Sequence, residues 1–364
     1  MKKILILTAG FGEGHNSAAR GLRQALAQFG GSDVQVHDIF ADTYGVANDC
    51  AREAYLGLIN NSPRAWSKIY RRLDRHQSFT GNFRIFFSAK KSLRRLLGQF
   101  EPDVIVSVYP AYPHILDEML GPAEQNYGVR VVMITDSLSV NAIWYRGSAH
   151  FFLLPNERSA AVLHAAGIPA SKTRTFGFPV SLEFAEVDGA HAAPSESEGR
   201  RVLYLINARK SGAPEMVYRL AGLRGIQLTV AVGRDRRLRK AIESVRASAA
   251  RPFELVGWSE ELPRLLRASH LLISKAGGAT VQEAMAAACP MIVNHVIPGQ
   301  EEGNARLLVE SNCGAIALTQ EAVVRAVQSV FANDAAQWRE WSANIATQSR
   351  PAAALESARF LLSL

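Results

Sequence analysis

Short apolar runs recur along the chain, each followed by a stretch with helical spacing. In the first half the runs are Lys3–Thr8, Val104–Val108, Val129–Thr135 and Phe151–Leu154. In the second they are Val202–Ile206, Leu228–Val232, Leu271–Ser274 and Met291–Val293. Runs this short, alternating with helices, predict strands of parallel α/β units. Between the halves, residues 188–199 (Asp-Gly-Ala-His-Ala-Ala-Pro-Ser-Glu-Ser-Glu-Gly) are small, polar and without period, which reads as a linker. The expected architecture is α/β, with doubly wound domains at 1–187 and 200–364 facing an interdomain cleft. A return of the last helix to the N-terminal domain is compatible with this division. Ligands of such sheets bind beyond the carboxyl ends of the strands.

One segment breaks the alternation. Residues Thr43–Phe100 read as helices without strands. Trp66, Ile69, Tyr70 and Leu73 fall on one helical face, with Lys68, Arg71, Arg72 and Arg75 on others. A second helix carries apolar Phe86, Ala89, Leu93, Leu96 and Phe100 beside basic Lys90, Lys91, Arg94 and Arg95. Such a helix can lie in a headgroup layer; packing its stripe on the domain is the plainer alternative.

Composition narrows the setting. A length of 364 residues favours two cores over one, and 48% hydrophobic with 20% charged residues excludes broad disorder. The net charge of +8 suits an anionic partner, whether nucleotide, nucleic acid or acidic membrane. The basic residues lack the interleaved motifs of a nucleic-acid module. Three cysteines without a CxxC pair argue against a disulfide framework or zinc site, and for a reducing cytoplasm. The apolar start is too short for a signal peptide and leads into glycines, so it reads as a first strand. Any membrane contact is expected to be peripheral, on the inner face.

Two glycine-led turns carry candidate chemistry. After the first strand comes Ala9-Gly10-Phe11-Gly12-Glu13-Gly14-His15, then an expected helix Asn16–Phe29. Glycine lets backbone approach a ligand, and a helix start favours anions. His15, expected at that start, could act as a general base or be structural. After the strand ending at Ser274 comes Lys275-Ala276-Gly277-Gly278-Ala279-Thr280, then an expected helix Val281–Ala288. The N–H groups of Gly278 to Val281 could hold a diphosphate, and Glu283, expected in the first turn, could accept from ribose hydroxyls. A third loop, Pro298 to Ala305, brings Gln300 and Glu301 together.

These segments, in this order, resemble glycosyltransferase family 28. The resemblance is to its branch of monogalactosyldiacylglycerol synthases and processive diacylglycerol glucosyltransferases. It rests on GxGHxxAA at Gly12–Ala19, PDVIVS at Pro102–Ser107, ITD at Ile134–Asp136, Trp144, and Gly177-Phe178-Pro179-Val180. It continues through Gly233-Arg234-Asp235-Arg236-Arg237-Leu238-Arg239, Gly257-Trp258, SKAGGATVQEA and PGQEEGNA.

The resemblance implies a GT-B fold of two Rossmann-like domains and inverting transfer of a hexose from a UDP-sugar to a lipid alcohol such as diacylglycerol. It implies no cofactor and no metal. It assigns base or acceptor-site roles to His15 and Asp136. It puts the donor on Gly257, Trp258, Lys275, Gly277, Gly278, Thr280, Glu283, Gln300, Glu301 and Asn304. Acceptor or membrane contacts fall to Trp66, Lys68, Tyr70, Arg71, Arg72, Asn141 and Trp144. Two departures stand out. The family's histidine five residues after the Thr-Asp aspartate is Asn141 here. The glycine-rich turn after the second domain's first strand is Asn207 to Gly212, whose Arg209 or Lys210, with Arg234, could meet the diphosphate instead. A polyprenyl-linked or soluble acceptor, a GT-B sugar-nucleotide epimerase and a non-catalytic relative are the competing readings. The helical stretch 43–100 speaks against the epimerase.

Overall fold

The computed structural model describes residues 1–61, 86–123, 128–138, 140–185, 193–194, 199–258, 261–298 and 301–364. Trp66, Lys68, Tyr70, Arg71, Arg72 and Gln300 lie outside them, as does most of the expected linker. The chain divides into two compact units. One comprises residues 1–182, 297–303 and 352–364, and the other 183–296 and 304–351.

The first unit holds a six-stranded parallel sheet. Its strands are β1 (Lys2–Leu7), β2 (Ser32–His37), β3 (Val104–Ser107), β4 (Val129–Met133), β5 (Phe151–Leu154) and β6 (Thr173–Thr175), in the order β2-β1-β3-β4-β5-β6. Helices α1 (Glu13–Phe29), α2 (Ile39–Tyr44), α3 (Val46–Asn61), α4 (Phe87–Phe100), α5 (Ala111–Leu120), α6 (Ile143–Arg146) and α7 (Glu157–Ala165) follow the strands. Leu5, Leu7 and Ile105 meet Ala89, Leu93 and Leu97 of α4 in one core, while Val132, Ile134, Phe152 and Leu154 enclose Trp144 in another. The strand order reverses between β1 and β3, so a crevice opens beyond their carboxyl ends.

Two long-range closures hold this unit. A side chain at Gly21 of α1 would sit 2.2 Å from the Pro179 carbonyl oxygen and 2.6 Å from that of Val180. Glycine therefore lets α1 lie directly on the Gly177–Val180 turn, which explains that turn structurally. The last helix of the chain, Ala353–Ser363, belongs to this unit. Its Phe360 packs edge-on against Phe151 at 5.1 Å, Arg174 lies over both rings, and Lys2 Nζ donates to the Leu362 carbonyl at 2.8 Å.

The second unit repeats the plan with β7 (Arg200–Leu205), β8 (Ile226–Ala231), β9 (Glu254–Val256), β10 (Leu271–Lys275), β11 (Met291–His295) and β12 (Gly314–Ile316), ordered β12-β11-β10-β7-β8-β9 and all parallel. Its helices are α8 (Ala213–Ala221), α9 (Arg236–Glu243), α10 (Leu262–Ala268), α11 (Gly278–Ala286), α12 (Glu302–Glu310), α13 (Gln320–Val330) and α14 (Ala332–Gln348); the last helix of the first unit is α15. Its core joins Val202, Tyr204, Val230, Leu271, Ile273 and Ile292 to Val217, Val327 and Trp338. The reversal here lies between β7 and β10. Both units also share one device. His150 Nδ1 accepts the Arg130 N–H at 3.0 Å, and His270 Nδ1 accepts the Arg201 N–H at 3.0 Å, each tying a strand start to its neighbour.

Two helix starts differ from the sequence reading. Helix α1 begins at Glu13 rather than Asn16, because Gly12 (φ +154°) already makes the turn and leaves His15 inside the first helical turn. Helix α11 begins at Gly278 rather than Val281. The Val281 N–H is spent on the Gly277 carbonyl at 2.9 Å, and Glu283 stands in the second turn rather than the first.

Candidate active site

In the first unit the site grows from the ends of three adjacent strands. Beyond β1 lies the glycine turn, anchored where Asp38 Oδ2 accepts the Gly10 N–H at 2.7 Å and the Tyr112 hydroxyl donates to the Thr8 carbonyl at 2.8 Å. Beyond β3 comes Tyr109, and beyond β4 come Thr135 and Asp136. His15 reaches into this corner. Its Nδ1 is 3.3 Å from Thr135 Oγ1, its ring meets Tyr109 edge-on at 5.2 Å, and Trp144 stands 5.8 Å away.

Trp144 links the two candidate bases. Its indole Nε1–H donates to Asp136 Oδ2 at 2.8 Å. Burial raises the Asp136 carboxyl to about 6, held back by the hydrogen bonds from Trp144 and the Asn141 N–H. Burial lowers His15 to about 4, only partly offset by its bond to the Val108 carbonyl. At neutral pH, His15 is thus an uncharged imidazole and Asp136 a carboxylate with a near-neutral pKa. Asn141 is buried, and its carboxamide oxygen accepts the Ile143 N–H at 3.0 Å. It shapes the turn into α6 and presents Trp144. Tyr109 and Asp38 were not singled out by the sequence, and Thr135 only as part of the ITD motif. The place of Tyr109 just past the Val104–Val108 run is the signal that could have found it, whereas Asp38 follows β2, which has no continuous apolar run.

In the second unit, the ends of β7 and β10 meet. Asn207 Oδ1 accepts from Ser274 Oγ at 3.2 Å and from the Lys275 N–H at 3.4 Å. The first-turn N–H groups of α11, at Gly278, Ala279 and Thr280, point out of this junction. Lys275 folds back over the turn, with Nζ 3.1 Å from where a Gly277 side chain would begin. An ammonium beside a helix start is a ready anion site. Asn304 Nδ2 braces the turn by donating to the Ala276 carbonyl at 3.1 Å.

Residues 15–180 match the sequence profile of the Monogalactosyldiacylglycerol (MGDG) synthase family, and residues 207–355 match that of the Glycosyltransferase family 28 C-terminal domain. The N-terminal half thus resembles the monogalactosyldiacylglycerol synthase family and the C-terminal half glycosyltransferase family 28, and the chain is a UDP-sugar glycosyltransferase. It is 25% identical, over 92% of its length and 88% of the relative's, to a processive diacylglycerol beta-glucosyltransferase of Bacillus licheniformis. Among solved structures it is similar to Acinetobacter baumannii MurG, at 14% identity and TM-score 0.66 over the whole of both chains. It is also similar to the UDP-GlcNAc 2-epimerase of Neisseria meningitidis, at 13% identity and TM-score 0.60 over the whole of both. These likenesses identify the fold, GT-B. MurG and an epimerase share it, so the fold leaves the reaction open and the family profiles decide for a glycosyltransferase.

Other expected donor residues of this transferase have defined surroundings. Glu301 is 4% exposed, and its Oε2 accepts the Ile297 N–H at 3.0 Å, so one carboxylate oxygen shapes the turn. Glu283 is half-buried on α11. Arg209, in a left-handed conformation (φ 50°), donates to His295 Nδ1 at 3.2 Å and to the Leu318 carbonyl at 2.5 Å. Lys210 pairs with Asp235 at 2.8 Å. Arg234 lies 4.0 Å over the exposed Trp258 ring.

Proposed function

We propose that this transferase moves a hexose from a UDP-sugar to the hydroxyl of a lipid such as diacylglycerol, with inversion at the anomeric carbon. The observation that carries the mechanism is the Asp136–Trp144–His15 group and its divergent proton affinities. A general base works best with a pKa near the working pH. That favours Asp136, at about 6, over His15, at about 4. The acceptor O–H proton goes to the Asp136 carboxylate while its oxygen bonds to the anomeric carbon. The bond from that carbon to the diphosphate oxygen breaks, and the electron pair leaves with UDP. Neutral His15 positions the acceptor oxygen. Negative charge on the departing diphosphate is met by the N–H groups of Gly278, Ala279 and Thr280 and by Lys275, with Arg209 and Lys210 nearby on the β7 loop.

The acceptor class is supported by the family match over residues 15–180 and by the name of the Bacillus licheniformis relative. A membrane surface is supported by α4, where Phe87 is 72% exposed and Lys91, Arg94 and Arg95 face solvent. Among the described residues no helix is long and apolar enough to cross a membrane, so contact at a cytoplasmic face would be peripheral. We keep donor binding free of divalent metal as part of this reading.

The test is product analysis. Purified protein is incubated with UDP-glucose, UDP-galactose or UDP-N-acetylglucosamine and vesicles containing diacylglycerol, with and without a chelator. Mass spectrometry should find hexosyl-diacylglycerol in both conditions. A product only on a polyprenyl phosphate or soluble alcohol, or none without metal, would contradict this reading.

A further inference from the structure

Trp258 follows the end of β9 and is 56% exposed, whereas the other tryptophans of its unit, Trp338 and Trp341, are core. Its open face is occupied. The Arg234 guanidinium carbon, just past the end of β8, lies 4.0 Å from the ring centroid, close enough to cover it. Neighbouring cations are otherwise engaged. Arg239 pairs with Glu243 at 3.0 Å, Lys210 with Asp235 at 2.8 Å, and Arg209 holds His295 and the Leu318 carbonyl. Among the described residues Arg234 has no carboxylate partner.

We infer that Arg234 sits in the seat a nucleobase takes on Trp258, and leaves it for the diphosphate of the same ligand. This rests on the donor assignment made above. The strand order puts the end of β8 two strands from β10, about 10 Å at ordinary strand spacing. That is the scale separating a base from its diphosphate, so one long arginine side chain can serve either end. The relative strengths allow the exchange. A cation on an exposed aromatic face is worth about two- to fivefold in an equilibrium constant. A base stacked on an aromatic ring is worth about five- to 150-fold. A base alone must expel Arg234 and offer it nothing, whereas a nucleoside diphosphate rehouses the charge. Arg234 thereby selects for ligands that carry both parts.

The prediction is a change of opposite sign for two ligands of one base. Trp258 fluorescence, corrected with Trp258→Phe, is titrated with uridine and with UDP in the full chain and in Arg234→Ala. Removing the side chain should tighten uridine about two- to fivefold, by emptying the seat, and weaken UDP about tenfold, by removing a cation. Arg234→Lys should recover part of the UDP affinity. If uridine and UDP move in the same direction, or neither moves, the seat-exchange inference fails and the donor assignment stands. If the wild-type protein binds no UDP, both fall.

Discussion

The indole of Trp144 donates to Asp136 at 2.8 Å while its ring stands 5.8 Å from His15, so one buried side chain touches both candidate proton carriers. Its hydrogen bond stabilises the ionised Asp136 and keeps the pKa from rising further. Trp144→Phe removes that donor and keeps most of the ring. A charge-assisted hydrogen bond contributes about 1.5–3 kcal/mol, so the pKa should rise by about one to two pH units. In a pH–rate profile the wild type should lose activity as pH falls through about 6, and Trp144→Phe should lose it at higher pH. An unmoved acid limb would detach Asp136 from the rate.

The contact between Gly21 and the Pro179–Val180 backbone gives a stability prediction. Alanine is the better helix former by about 1 kcal/mol. Here its methyl would meet a carbonyl oxygen at 2.2 Å, and backbone cannot swing aside as a side chain can. Gly21→Ala should therefore be net destabilising by about 1–3 kcal/mol, visible as a lower midpoint in urea unfolding. A stabilised variant would mean that α1 does not lie on this turn.

Glu283 tests the donor half. Glu283→Ala should weaken UDP binding by about 1–3 kcal/mol through lost charge-assisted hydrogen bonds to the ribose. The same substitution should affect 2′-deoxy-UDP less, because one hydroxyl is already missing. Calorimetry showing equal losses for both ligands would move Glu283 away from the ribose.

The exposed edge of α4 tests the membrane. Changing Lys91, Arg94 and Arg95 to Gln together should reduce pelleting with anionic vesicles, since each cation near an acidic surface contributes about 1 kcal/mol. Binding of the wild type should also fall with salt. Lys90 is left out because it pairs with Glu118. Equal pelleting of the two proteins would rule out this face.

Eight interior strands of the two sheets were legible from their apolar runs. The four that escaped, β2, β6, β9 and β12, are the sheet edges. The reason is physical: an edge strand is covered on fewer sides and needs no continuous apolar run. Every residue of Ser32–His37 is only half-buried, and the other three edges are three residues long. In the site, the glycine turns, His15 and Asp136 were legible because they follow strand ends in a recognisable order. The Trp144–Asp136 bond was not, because it joins a loop and a helix eight residues apart through a geometry that no spacing encodes. Helix starts slipped by three residues at both turns, since glycines that mark a loop can also be the first residues of a helix.

The central claim is that a buried carboxylate in the first unit takes the acceptor proton while the second unit holds the donor. Its most direct test measures turnover and UDP affinity side by side for wild type, Asp136→Asn and His15→Ala, with diacylglycerol vesicles and the donor sugar that the product screen identifies. Asp136→Asn should lose roughly 10²–10⁴-fold in kcat with UDP affinity nearly unchanged. His15→Ala should lose less. Full turnover by Asp136→Asn, or a loss confined to UDP binding, would contradict the account.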